Sequence, residues 1–121
     1  MKKILIVDDS PSVRQQVGMA LTQAGYAIVE AVDGMDGLSK VATPGVSMVL
    51  SDVNMPRMDG LEMIEKIRAD SKFSGLPILM LTSEGQPAIM DRARKAGAKG
   101  WIIKPFKADL LVAAVKKLVP A

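Results

Sequence analysis

Residues 48–56 read MVLSDVNMP, an apolar run that ends on Asp52 and passes through Asn54 to the turn pair Met55-Pro56. A carboxylate at the end of a segment ready for burial is costly unless something uses it. The run is one of five: KILIV (3–7), YAIVE (26–30), SMVLS (47–51), PILMLT (77–82) and GWIIK (100–104). Several are near-continuous rather than alternating, as in strands buried on both faces of a parallel sheet. Five helical patterns alternate with them. The first has Ser10 as N-cap, Pro11 at the first helical position and Gly25 past its end. The second opens at Asp33-Gly34 and stops before Pro44-Gly45. The third, DGLEMIEKIRAD, spaces Leu61, Met63, Ile64 and Ile67 on one face and offers Glu62 and Lys66 as an exposed i,i+4 pair. The fourth spans about 87–96 and ends at Gly97; the fifth carries Leu110, Leu111, Ala114, Val115 and Leu118 as its apolar stripe. Strict β-α alternation predicts one doubly wound α/β domain over residues 1–121, with no linker, repeat or second domain.

Composition narrows the chemistry. The 121 residues include no cysteine, so no disulfide, thiolate nucleophile or zinc-thiolate site is available. They include no histidine, which excludes a Ser-His-Asp triad and histidine-held zinc. Any metal must be a hard cation held by oxygen, such as Mg²⁺, Mn²⁺ or Ca²⁺. Any nucleophile must be Ser, Thr, Lys or a carboxylate. No apolar run is long enough to span a membrane, and the start MKKILIVDDS is too short and too acidic for a signal peptide, so a cytoplasmic location is expected. Phosphate-binding glycine loops of the G-x-G-x-x-G and G-x-x-x-x-G-K-[ST] types are missing.

The formal net charge of +3 is uneven. From residue 90 onward eight basic residues (Arg92, Arg94, Lys95, Lys99, Lys104, Lys107, Lys116, Lys117) stand against Asp91 and Asp109. This reads either as a solvated lysine-rich surface or as a face for an acidic partner. Few aromatics interleave with it, so nucleic acid is not expected as a partner.

In an open parallel sheet, ligands sit beyond the C-terminal strand ends, where the strand order reverses. The first strand ends at Asp8-Asp9, the third at Asp52, the fourth at Thr82-Ser83 and the fifth at Lys104. With the first and third strands adjacent, three carboxylates share one crevice. Lone aspartates at strand ends are commonly turn formers, but three at two ends, with a threonine and a lysine at two more, are hard to explain as turns. Clustered carboxylates repel, and a divalent oxygen-seeking ion relieves them. Carboxylate, metal, lysine and hydroxyl together are what in-line phosphoryl transfer requires. Spacing alone leaves the nucleophile open among the aspartates and favours Asp52.

VDDS (7–10), SDVNMPRMDG (51–60), LMLTSE (79–84) and GAKGWIIKPF (97–106) together resemble, in order and spacing, the receiver domain of two-component response regulators. The resemblance implies a flavodoxin-like α/β fold: a five-stranded parallel sheet of order 2-1-3-4-5 with five helices on both faces. It implies that Asp52 accepts a phosphoryl group from a histidine kinase. Asp8, Asp9, Asp52 and the backbone carbonyl of Asn54 would hold Mg²⁺, for which Mn²⁺ can substitute; Asp9 would bind directly and Asp8 through water. Thr82 would hydrogen-bond the phosphoryl group and Lys104 would pair with its oxygens. The Lys104-Pro105 bond would be cis, and Trp101 would stand where the family has a tyrosine or phenylalanine rotamer switch, close to the acidic crevice. Asn54 and Glu84 would flank the path of the hydrolytic water.

With no output domain following, the resemblance implies a monomeric signalling protein, not an enzyme acting on other substrates. It would act through its fourth helix, fifth strand and fifth helix. The DVNMP and GWIIKPF segments are similar to the chemotaxis branch, whose target is often the flagellar motor switch. A phosphate sink or relay intermediate would use the same site. A phosphatase of the haloacid dehalogenase type fits less well, because its two aspartates are separated by one residue and here they are adjacent.

Overall fold

A computed structural model describes residues 1–121. Its elements are β1 (Lys3–Val7), α1 (Pro11–Gln23), β2 (Ala27–Ala31), α2 (Gly34–Lys40), β3 (Val46–Ser51), α3 (Gly60–Ala69), a 3₁₀ turn (Ser71–Phe73), β4 (Ile78–Thr82), α4 (Pro87–Lys95), β5 (Gly100–Ile103) and α5 (Ala108–Leu118). All strand pairs are parallel, in the order β2-β1-β3-β4-β5. The expected sheet order and five helices are therefore present, with element ends moved by a residue or two.

The near-continuous apolar strands are explained by two cores. Ile4, Ile6, Met48, Leu50, Leu79 and Leu81 face Val17 and Leu21 of α1 and Leu111 and Val115 of α5. Their neighbours Leu5, Val7, Val49, Ile78 and Met80 face Leu61, Met63, Ile64 and Ile67 of α3 and Ala93 of α4. Successive strand side chains alternate between faces, so a strand covered on both sides needs apolar residues throughout. Each fully buried Leu, Ile or Met contributes about 1.5–3 kcal/mol, which makes α3, with four of them, a principal anchor.

Helix starts follow the sequence. Ser10 Oγ accepts from the Val13 amide, Asp33 from Asp36 and Asp59 from Glu62. Two expectations are corrected. Leu110 does not belong to the α5 stripe: it is 61 % exposed, because the buried face is centred on Leu111 and Val115 one helical turn apart. Glu62 and Lys66 are both exposed and form no ion pair, as befits a solvated contact worth only a few tenths of a kcal/mol. Glu65 instead binds Arg92 with both carboxylate oxygens, at 2.9 and 2.7 Å, tying α3 to α4.

The chain leaves β1 for β2 on one side and returns to β3 on the other. The reversal therefore falls between β1 and β3, and it opens a crevice beyond their C-terminal ends.

Candidate functional site

Two buried carboxylates project into that crevice. Asp8 follows β1, its amide bonded to the Ala31 carbonyl at 3.1 Å; Asp52 follows β3, its amide bonded to the Val7 carbonyl at 3.0 Å. Asp8 is 2 % exposed and Asp52 7 %, whereas Asp9 beside them is exposed. One carboxylate oxygen from each of the three lies within 4.8 Å of the others.

The counter-charge comes from across the sheet. The Lys104 amide bonds the Thr82 carbonyl at 2.9 Å, extending the β4–β5 ladder by one residue, so its side chain lies over the same end. Lys104 Nζ donates to Asp8 Oδ2 at 2.8 Å and to Asp52 Oδ2 at 3.0 Å. Burial alone would lower its pKa, but hydrogen bonds and attraction to Asp8 and Asp52 outweigh that, and the ammonium is held above its usual range. The Val53 amide donates to Asp52 Oδ1 at 2.7 Å, so both oxygens of Asp52 are oriented by donors. The Lys104–Pro105 peptide is cis.

Thr82 ends β4 fully buried, and its Oγ1 accepts from the Glu84 amide at 3.1 Å, leaving the hydroxyl proton for another acceptor. The loop after Asp52 closes tightly: the Gly60 amide donates to the Val53 carbonyl at 2.8 Å. Gly60 is packed so closely that a Cβ there would stand 2.0 Å from the Asp52 carbonyl oxygen.

Asp8, Asp52 and Lys104, all expected at the crevice, are thus joined by direct contacts, and others are placed differently. The Asn54 side chain is exposed, and its backbone carbonyl accepts no hydrogen bond from the protein. The Glu84 carboxylate is folded back onto the Gly85 and Gln86 amides, at 3.1 Å each, rather than reaching over the site. Trp101 is joined to the crevice only indirectly. Its half-buried indole N–H donates to the Glu84 carbonyl at 2.9 Å, two residues past Thr82, and the ring lines a cavity of about 150 Å³ with Met90, Arg94 and Lys99. The Asp33–Arg57 ion pair, with Arg57 Nη2 2.6 Å from Asp33 Oδ2, was not foreseen; the N-cap role of Asp33 accounts for only half of its bonding.

The donor set fits a hard divalent cation. Three carboxylates and one ammonium leave the crevice with two net negative charges, and Asn54 adds an unused carbonyl oxygen. All the candidate ligands are oxygen, as Mg²⁺ requires.

A family model described as "Response regulator receiver domain" matches residues 4–116. The chain belongs to the response regulator receiver domain family. This receiver domain is 39 % identical over 111 residues to chemotaxis protein CheY1 of Helicobacter pylori, covering 90 % of each chain. It superposes on chemotaxis protein CheY4 of Vibrio cholerae with TM-score 0.92 at 39 % identity, covering 98 % of this chain and 99 % of that one. It is also similar to CheY in the CheX–CheY–BeF₃–Mg²⁺ complex of Borrelia burgdorferi, with TM-score 0.89 at 27 % identity and coverage of 97 % and 88 %. Receivers of this type are signalling proteins that take phosphate from histidine kinases, bind Mg²⁺ at an acidic pocket and bind downstream targets. No helix of this one is long and apolar enough to cross a membrane.

Proposed function

We propose that this receiver is a single-domain chemotaxis-type response regulator that accepts a phosphoryl group on Asp52 from a histidine kinase. The observation that carries this reading is the Lys104 ammonium bridging Asp8 and Asp52 at 2.8 and 3.0 Å, with Asp9 in the same cluster. Like Asp8, whose oxygens accept from the Ser10 amide and from Lys104, Asp52 has both oxygens oriented, by the Val53 amide and by Lys104. The Asp52 carboxylate oxygen attacks phosphorus in line. The bond to the donor nitrogen breaks, and the electron pair leaves with the imidazole. Lys104 then follows the charge, exchanging a carboxylate oxygen for phosphoryl oxygens, and the Thr82 hydroxyl donates its free proton to another. Asp8, Asp9, Asp52 and the Asn54 carbonyl would hold Mg²⁺, with Mn²⁺ as a substitute; when bound, the ion neutralises charge on the carboxylates and the phosphoryl oxygens.

The signal leaves through α4, β5 and α5. Loss of the Lys104–Asp contacts and a new bond at Thr82 pull on the β4–α4 loop, and Trp101 is tied to that loop through the Glu84 carbonyl. Lys99, Lys107, Lys116 and Lys117 make no ion pair, unlike Arg92, Arg94 and Lys95, so they remain available to an acidic partner such as a motor-switch segment. Asn54 and Glu84, each two residues past a site residue, tune the lifetime of the acyl phosphate.

The test follows intact mass and Trp101 fluorescence while Mg²⁺ and then acetyl phosphate are added, with Asp52→Asn as control. One added phosphoryl group with a fluorescence change, both absent in the variant, supports the reading. Mass gain with silent fluorescence removes the switch role of Trp101. No mass gain with any donor, kinase included, refutes the proposed chemistry.

A further inference from the structure

The contact between the β2–α2 junction and the β3–α3 loop has no part in the chemistry above, yet its geometry is unusual. Arg57 has φ 64°, in the left-handed region that residues with side chains rarely adopt. The Met58 amide donates to the Pro56 carbonyl at 2.7 Å, which makes Arg57 the centre of a three-residue turn, the strained form of the γ-turn. Strain of this kind persists only where the surroundings over-determine it.

Two contacts do so. Arg57 Nε donates to Asp33 Oδ2 at 2.7 Å, and Nη2 lies 2.6 Å from the same oxygen. The Gly34 amide donates to the Met58 carbonyl at 2.9 Å, an approach so close that a Cβ on Gly34 would stand 2.5 Å from that carbonyl oxygen. Asp33 is itself fixed. It is 3 % exposed, and its other oxygen accepts from the Asp36 amide at 2.8 Å to cap α2. That amide first, and Arg57 after it, hold the Asp33 carboxyl below its usual range against the effect of burial. Arg57 is largely exposed, so packing does not explain its conformation. The ion pair does: it pins a strained turn of the loop to a rigid helix start.

The pinned turn begins two residues after Asn54, whose carbonyl has no partner in the protein and whose side chain is exposed. Between Val53, anchored by the Gly60 amide, and Met58, the backbone makes no hydrogen bond but that of the turn itself, and Met55 packs its side chain against the core. We propose that Asp33 and Arg57 are positioning residues for the cation site: their ion pair fixes the direction in which the Asn54 carbonyl is presented and thereby sets the affinity for a divalent cation. This rests on the reading that Asp8, Asp9, Asp52 and that carbonyl hold the ion.

Charge alone makes a different forecast. Removing the Arg57 cation from the neighbourhood of an acidic crevice leaves Mg²⁺ bound equally well or more tightly, whereas removing the Asp33 carboxylate weakens it. A latch requires both changes to weaken binding. Calorimetric Mg²⁺ titration of the whole chain separates the two, using wild type, Asp33→Asn, Arg57→Ala, the double variant and Arg57→Lys, with Asp9→Asn as the site control. Circular dichroism serves to check that each variant folds. Asp33→Asn retains an oxygen for the α2 cap, and Arg57 is exposed, so both variants keep the fold.

Each single substitution is expected to weaken Mg²⁺ roughly tenfold, the scale of losses when groups that orient metal ligands are removed. The double variant is expected to lose no more than either single, because both remove the same contact. Arg57→Lys, which keeps the charge and one donor, is expected to recover part of the loss. Binding by Arg57→Ala that is unchanged or tighter, or losses that multiply in the double variant, overturns the proposal and leaves the cation site standing. Wild-type protein without saturable, Asp9-dependent Mg²⁺ binding overturns the cation reading and the latch with it.

Discussion

Replacing Gly60 with alanine places a Cβ 2.0 Å from the Asp52 carbonyl oxygen, 3.0 Å from its carbonyl carbon and 3.1 Å from Ser51 Oγ. Real Cβ contacts do not fall below 3.0 Å, so at least 1.0 Å of movement is needed between the start of α3 and the Asp52 peptide. The nearest obstacle is backbone, and no side-chain rotamer relieves it. Overpacking costs about 1–3 kcal/mol, and a backbone obstacle puts this case near the upper end, about 3 kcal/mol. Alanine returns at most about 1 kcal/mol through its better helix propensity. The net loss is about 2 kcal/mol, or roughly 8 °C in Tm at about 4 °C per kcal/mol for a domain of this size. The displaced peptide carries the proposed phosphoacceptor, so acceptance of phosphoryl from acetyl phosphate falls together with stability. Urea unfolding gives the first quantity and intact mass over time the second. Gly75→Ala is the matched control: nothing lies within 4 Å of its Cβ, and it should stay within about 0.5 kcal/mol of wild type. A Gly60→Ala protein as stable as wild type, with unchanged phosphorylation, would refute the idea that close packing at α3 sets the position of Asp52.

Three other perturbations test separate parts of the account. Glu65 is held below its usual 4.5 by hydrogen bonding to Arg92, so its contribution is present above that pH and is lost as pH falls through the depressed folded value. Glu65→Gln should lower stability at neutral pH by about 0.5 kcal/mol, an amount discounted for an exposed pair, and its urea midpoint should meet that of wild type in acid. Lys104→Met should cost roughly 2 kcal/mol without metal, because it leaves two buried carboxylates unpaired. Since the Lys104 pKa is raised above 10.5, that difference is full below this pH and closes as pH rises through the folded value; added Mg²⁺ should narrow it at neutral pH. Trp101→Phe removes the indole bond to the Glu84 carbonyl and should cost about 1 kcal/mol while leaving the extent of phosphorylation by acetyl phosphate unchanged, as read by urea unfolding and intact mass.

The sheet was legible because a strand buried on both faces needs apolar residues on both, and residues 4–7, 48–50 and 78–81 are unbroken apolar runs. The edge strands were less sharp. Tyr26 reads as the start of β2, but it precedes the strand, buried with its hydroxyl on the Val119 carbonyl. The crevice was legible because Asp8, Asp52, Thr82 and Lys104 all fall at strand ends, and a parallel sheet brings those ends to one side. What the sequence hid were contacts made by residues with ordinary local roles. Asp33 looked like a helix cap, and only the fold brings Arg57 to it from 24 residues away. Arg68 carries no local signal of its role, yet it donates to the Phe73 and Gly97 carbonyls and staples the 3₁₀ turn to the end of α4. Leu110 followed the apolar spacing, but periodicity leaves the limits of the buried face open by one residue.

The central claim is that Asp52, rather than Asp8 or Asp9, takes the phosphoryl group. Acyl phosphates are reduced by borohydride to the alcohol, so a phosphorylated aspartate becomes homoserine at its position in the chain. The protein should be incubated with Mg²⁺ and acetyl phosphate, reduced, digested and read by peptide mass spectrometry. Homoserine at position 52 alone, dependent on Mg²⁺, is the result the account predicts. Homoserine at position 8 or 9, or labelling at 52 that proceeds equally well in EDTA, would contradict it.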